Sequence, residues 1–233
     1  MPDIVVINES TALSDADIGT MLPALARQWN QDLASVWRVE QARFTLLPAG
    51  QSPPAGAWWL VFLDNSDQAS ALAYHDLSND GNPLSKVFVK TLRAGGASVS
   101  VGASHELCEM AVDPWLNGAY QDTAGHFWAA EICDPVQGDQ YGYKIGDTLV
   151  SDFVTPNWFA HRHSQVAMDF CGHAGAAFDV LPGGYAQKYE PQLGWVQTGG
   201  PSAPAAAHGS RRERRRRQAG RSLQQSTVVW NRR

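Results

Sequence analysis

Cysteine is scarce in this chain: three residues in 233, an odd number. That excludes the paired-cysteine framework of a small secreted scaffold. Long apolar runs are missing too. The longest, Ala57-Trp58-Trp59-Leu60-Val61-Phe62-Leu63, is of strand length and falls far short of the about 18–20 residues of a membrane-spanning helix. The first residues lead straight into Ile4-Val5-Val6-Ile7, with no basic segment, apolar stretch or cleavage site before them. No secretion signal is therefore expected, and unpaired thiols then point to a reducing, cytoplasmic setting. Positive charge is sparse through most of the chain. Residues 1–207 hold nine Lys and Arg against 22 Asp and Glu, and a body this acidic does not attract DNA or an anionic membrane. No internal repeat is visible.

Apolar and aromatic residues are plentiful. A hydrophobic content of 44%, with nine Trp and eight Phe, is enough to build a core, and the length suits one sizeable domain. Ile4–Ile7 reads as a buried strand. Ser14 can cap a helix, with Asp17 three residues on. Ile18, Met21, Leu22, Leu25, Trp29, Leu33 and Val36 then recur at helical spacing to about Trp37. Pro23 inside that run predicts a late start or a kink. Strands are predicted over Arg43–Leu47, Trp58–Leu63, Ala71–His75 and Lys86–Lys90, with a turn at Ser78-Asn79-Asp80-Gly81-Asn82-Pro83. A helix is predicted over Val99–Val112, stopped by Asp113-Pro114 because the residue before proline avoids the α region. Beyond it the pattern is loop-rich and β-like, with short strands at Phe127–Ile132, Tyr141–Ile145, Thr148–Phe153 and Phe178–Val180. Composition turns to a Gly/Pro/Ala linker over 199–210, which bounds the domain at 1–198.

The chemistry is concentrated in Ser104-His105-Glu106-Leu107-Cys108-Glu109-Met110. On a helix, His105 and Glu109 lie on one face, one turn apart. Glu106 sits about 100° around from His105. Two ligands at i and i+4 with a carboxylate at i+1 is the layout of a zincin active-site helix, here with Glu109 where the second histidine usually stands. Ala103, Leu107, Met110 and Ala111 form a separate stripe for the core, which leaves the His105 face for a cleft or solvent.

A hydrolytic zinc site needs a third protein ligand and an open position. Glu131, in Ala129-Ala130-Glu131-Ile132-Cys133-Asp134-Pro135, is the leading candidate. Asp134 is a candidate to orient a ligand or to replace one, and Asp113 is a weaker one. His126, His161 and His163 are further ligand types in predicted turns or loops. Glu106 is the candidate general base. Tyr141 or Tyr143 is a candidate oxyanion stabiliser by residue type. A His/Glu/Glu ligand set largely cancels the charge of zinc, so slow or absent catalysis is consistent with it, and oxygen-rich ligation also suits a harder cation such as calcium. The competing expectation is a non-catalytic structural or interaction protein whose acidic cluster is structural or holds calcium.

The pattern Ser104-His105-Glu106-Leu107-x-Glu109, Asp113-Pro114, Asn117, Tyr120 and Glu131-Ile132-Cys133-Asp134 resembles one in phosphate-induced (exordium-type) plant proteins and in bacterial zincin-like proteins. It covers roughly residues 100–135. The plant cysteine follows its aspartate, whereas Cys133 precedes Asp134. The span 1–200 also resembles a family of bacterial and phage proteins, on the phrases Tyr74-His75-Asp76-Leu77 and Val150-Ser151-Asp152-Phe153-Val154-Thr155-Pro156. The resemblance implies that His105, Glu106, Glu109 and Glu131 belong to one pattern. The predicted order of strand, long helix, strands, edge strand and motif helix is similar to the N-terminal half of zincin metallopeptidases, so an α+β, zincin-like fold is expected: a mixed sheet, a long N-terminal helix, an active-site helix and a loop-rich β half. The expected activity is a zinc-dependent peptidase acting on a peptide or protein, virion-associated if phage-encoded.

Residues 211–233 form an Arg-rich tail, expected to be disordered and solvated. Arg211-Arg212-Glu213-Arg214-Arg215-Arg216-Arg217 is its candidate contact for nucleic acid or an acidic partner.

Overall fold

A computed structural model of the chain describes residues 1–68, 71–159 and 167–200. In chain order its N-terminal half contains β1 (Asp3–Asn8), α1 (Asp15–Arg27), α2 (Ala34–Trp37), β2 (Arg43–Leu46), β3 (Trp58–Leu63), β4 (Ala73–Leu77), β5 (Pro83–Phe88), α3 (Val89–Ala94) and α4 (Val99–Val112). The architecture is mixed α+β with several sheets. Five strands form the first sheet in the order β2-β1-β3-β5-β4. The first four run parallel, and β4 returns antiparallel on β5 to form an edge.

Period-two alternation decides which side of that sheet each residue serves. Ile4, Val6, Leu60, Phe62 and Val87 enter the core shared with the helices, while Val5, Ile7, Val61 and Leu84 pack on the opposite face. α1 begins with a reciprocal cap. Ser14 Oγ accepts from the Asp17 amide at 3.1 Å, and Asp17 accepts from the Ser14 amide at 3.0 Å. Ile18 and Leu25 then bury their side chains against the sheet, each contributing roughly 1.5–3 kcal/mol. Pro23 neither delays nor breaks the helix. The irregularity comes later, as a six-residue π-helical stretch, Gln28–Leu33, that leads directly into α2. That stretch turns Gln28 inward, where its amide donates to the Ser151 carbonyl at 2.7 Å.

The C-terminal half adds β6 (Ala119–Gln121), β7 (Phe127–Ala129), β8 (Tyr143–Ile145), β9 (Thr148–Val150), α5 (Pro156–Phe159), β10 (Tyr185–Glu190) and β11 (Gly194–Gly199). β11-β10-β7-β6 form an antiparallel sheet, and β8-β9 a separate hairpin. Two expectations from sequence are corrected here. Phe178–Val180 is not a strand. Phe178 takes a left-handed turn at φ 61°, which lays its ring on Trp128 and Trp158. The strand beginning at Phe127 ends at Ala129, so Ala130–Asp134 leaves the sheet and passes α4. The β10–β11 hairpin was not anticipated. Its last strand ends at Gly199, where the linker composition begins. Nearly all of the linker and the whole Arg-rich tail lie outside the described residues.

α4 is buried on most of its circumference because it separates two cores. Ala103, Leu107 and Met110 belong to the core under the first sheet. Cys108 belongs to a second core with Leu33, Trp128, Ile132, Phe153 and Trp158. Cys108 and Cys133 are free and buried, as small apolar residues would be. Ser104 ties the helix to the C-terminal half by accepting from the Ser151 amide at 2.7 Å. Among the described residues, no helix is long and apolar enough to cross a membrane.

Candidate metal centre

One strip of α4 faces neither core and forms the floor of a cavity of about 270 Å³. His105, Glu106 and Glu109 line it from the helix, Leu72 and Ala73 from β4 and the residue before it, and Asp134 and Tyr185 from the C-terminal half. Leu92 and Val101 make its wall partly apolar. The roof loop, residues 137–140, is anchored to the start of α4 because Asp139 accepts from the Ser98 amide and hydroxyl.

Helical spacing brings His105 Nε2 within 3.4 Å of Glu109 Oε1, and the segment after β7 brings Asp134 Oδ1 within 3.2 Å of the same nitrogen. Glu109 has a second side. Its Oε2 lies 3.6 Å from Nδ1 of His75, whose Nε2 lies 3.7 Å from Glu131. Two triads therefore share one carboxylate. His105, Glu109 and Asp134 face the cavity. His75, Glu109 and Glu131 lie behind them, all three buried. Glu106 stands beside both, with Oε2 3.4 Å from His75 Nδ1. Ligand atoms about 2.0–2.1 Å from a tetrahedral ion lie roughly 3.3–3.4 Å from one another, so the cavity-side spacings fit a shared ion. In the rear triad His75 Nε2 is buried without a hydrogen-bond partner, a cost that an ion held by that triad would remove.

The electrostatics have the same cause. Four carboxylates, all buried, are packed against two imidazoles, of which His75 is fully buried. Burial opposes the charge on His75, but Glu131, Glu106 and Glu109 outweigh it and raise its pKa to about 9. Burial likewise opposes charge on His105, and Glu109 and Asp134 hold it well above the usual histidine range. Burial and then the neighbouring Glu109 push Asp134 up to about 7. Glu109 resists burial because His105 and His75 hold it well below the ordinary carboxylate range. Its Oε1 also accepts from the Cys133 amide at 3.2 Å.

The residues expected from sequence fall into three sets. His105, Glu106, Glu109 and Asp134 meet at the cavity. Glu131, ranked first from sequence as third ligand, belongs to the rear triad, and Asp134 completes the front one. Asp113 does not reach either triad: its carboxylate accepts from the Asn117 and Gly118 amides, both at 2.8 Å, and shapes the turn after α4. The tyrosine expectation is corrected. Tyr143 donates to Asp32 at 2.8 Å and Tyr141 to the Pro182 carbonyl at 3.2 Å. Neither lines the cavity, because β8 and the turn before it direct both rings elsewhere. Tyr185 is the tyrosine of the cavity, hydrogen-bonded to Asp134. His126 pairs with Asp122 in the β6–β7 turn. His161 and His163 lie outside the described residues.

His75 and Tyr185 are the functional residues that motif reading missed. The available signal for His75 was alternation along β4, which puts it on the same face as Ala73 at the cavity. A third group able to hold a metal ion, Asp152, Cys171 and His173, lies away from this cavity. No protein-family model, no curated protein and no solved structure matches the chain.

Proposed function

We propose that the protein is a metal-dependent hydrolase of peptide-like substrates, with a zincin-like arrangement of sheet and active-site helix. The observation that carries this reading is the front triad His105/Glu109/Asp134 on a partly apolar cavity with Glu106 beside it. His105, Glu109 and Asp134 would hold the ion. An imidazole in each triad favours a zinc-type cation over calcium, which prefers six to eight oxygens. A divalent ion there supplies Lewis-acid polarisation of a carbonyl and a more acidic water.

The chain's own groups do the rest. Glu106 takes a proton from the attacking water and delivers it to the leaving amine. Leu72, Leu92 and Val101 exclude bulk water and seat an apolar substrate group. Tyr185 orients Asp134. His75, behind Glu106 and Glu109, fixes both carboxylates. Glu109 and Asp134, as two carboxylate ligands, would leave a bound water less acidic than three histidines would, so slow turnover that rises toward alkaline pH is expected.

The test is metal content and peptide cleavage by the wild-type chain, His105→Ala and Glu106→Gln. Glu106→Gln should keep about one ion in the cavity and lose on the order of 10²–10⁴ in rate. His105→Ala should lose both. An active Glu106→Gln enzyme, or a His105→Ala protein with unchanged metal content and rate, would defeat the proposal.

A further inference from the structure

A second cluster of ligand-type side chains lies in the C-terminal half, and none of its members lines the cavity over His105. Two extended segments meet there. Thr155 donates its amide to the Met168 carbonyl at 2.7 Å, and Phe170 donates to the Phe153 carbonyl at 2.9 Å. Phe170 also stacks on Phe153 with ring centroids 5.0 Å apart. This short ladder sets Asp152 opposite the turn Asp169-Phe170-Cys171-Gly172-His173.

The turn gathers its donors through one residue. Gly172 has φ +79°, and a Cβ there would meet nothing within 4 Å. Backbone conformation, not space, is thus what glycine supplies, and it folds Cys171 and His173 toward the same carboxylate. His173 Nδ1 lies 3.2 Å from Asp152 Oδ2. Cys171 Sγ, His173 and Asp152 each present a ligand atom within 4.8 Å of the other two. Asp169 braces the turn, accepting from the His173 amide at 2.8 Å and the Ala174 amide at 2.7 Å.

We propose that Asp152, Cys171 and His173 form a second metal site, for a zinc-class ion. Oxygen, sulfur and nitrogen donors together suit a borderline ion rather than calcium or magnesium. The Asp152–His173 spacing matches the roughly 3.3 Å edge of a tetrahedron around such an ion. The two carboxylates in the cluster, Asp152 and Asp169, are both fully buried. No lysine or arginine is paired with either among the described residues; His173 Nδ1 lies 3.2 Å from Asp152 and 3.4 Å from Asp169, and an ion ligated by the imidazole and Asp152 would take over that pairing. His173 is 37% exposed, which leaves an entry path and a fourth position for water.

A nucleophilic role for the thiol fits less well. Burial and then Asp152 raise the Cys171 pKa far above the usual thiol range, the opposite of an activated cysteine. On binding, the thiol gives its proton to solvent and the thiolate ligates. The ion would clip residues 152–155 to 168–173 and so hold the wall that Ser151 presents to α4.

The test uses the full chain freed of metal and titrated with Co²⁺ alone, then with Zn²⁺ in competition. A near-ultraviolet thiolate-to-cobalt charge-transfer band should grow and saturate at about one ion per thiolate site. Zn²⁺ should bleach it. Cys171→Ser and His173→Ala should each abolish the band and lower total binding by one ion, with far-ultraviolet circular dichroism unchanged. His105→Ala should leave the band intact, which separates this site from the cavity site. No band in the wild type, or a band that survives Cys171→Ser through Cys108 or Cys133, overturns the proposal.

Discussion

Metal binding at the cavity should release protons, and the number follows from the geometry. Without metal, His105 donates between Glu109 and Asp134 and stays protonated at neutral pH. Asp134 titrates at about 7 and is half protonated there. Both must be unprotonated to ligate. About 1.5 protons should therefore leave per zinc at pH 7 and about 2 near pH 5.5, with fewer above pH 7. Each proton makes apparent affinity fall about tenfold per pH unit, so the loss is roughly fiftyfold between pH 7 and 6. Isothermal titration calorimetry in buffers of different ionisation enthalpy measures the release directly. Asp134→Asn should bring it to about 1 at pH 7. A release near 2.5 would add His75, which titrates at about 9, to the front ligands, whereas a release near 1 that Asp134→Asn leaves unchanged would place the ion in the rear triad. A release below about 0.5 proton at pH 7, where a protonated His105 must be displaced, refutes the ligand set.

Three smaller perturbations test how the site is held. Asp122 accepts from the amides of Ala124 and His126 and from Trp128 Nε1, all at 2.9 Å. Burial opposes this, but the Trp128 and His126 hydrogen bonds prevail and hold its pKa at about 2. A folded-state pKa below the unfolded value of about 3.9 stabilises above about pH 4, and the benefit is lost as pH falls through 2. Asp122→Ala should cost about 1–2 kcal/mol in neutral-pH thermal melts and almost nothing near pH 2; equal melts at pH 7 would count against it. A Cβ on Gly184 would meet the Pro135 carbonyl and, at 2.9 Å, the Asp134 carbonyl. Gly184→Ala should therefore shift Asp134 and weaken zinc binding about 10–100-fold, and unchanged calorimetry would show that the seam gives way elsewhere. Ser14→Ala removes one half of the α1 cap and should lower stability by about 1 kcal/mol, read from urea midpoints, with zinc affinity unaffected.

Local signals made much of this structure legible. α4 runs over the span read from its periodicity and its Asp113-Pro114 stop, and the Ser14 cap sits where Ser and Asp are spaced for it. β1 and β3 follow from short apolar runs bounded by polar residues. Elements with weak local patterns were not legible. β10 and β11 carry Gln187, Lys188, Glu190, Gln197 and Thr198 among their apolar residues, and only pairing with β7 and with each other makes them strands. Phe178–Val180 reads as an apolar strand, yet three large rings gain more by packing around a turn.

The site divides in the same way. His105, Glu106 and Glu109 share one helix, so spacing alone assembles them. His75 reaches the rear of the same cluster from thirty residues before His105, and Tyr185 the cavity from eighty after it, and no local period links them. What links them is the position of α4. Because the helix is buried against both cores, its remaining strip can meet β4 on one side and the Asp134 segment on the other. Charge then follows from topology. β4 contributes an imidazole, the segment after β7 contributes two carboxylates, and α4 contributes groups of both kinds. None of the three could bury its share alone without a large desolvation cost. Assembly of the two halves on α4 and the proposed binding of a cation are thus one energetic problem, and Glu109, which faces both triads, is the residue at which they meet.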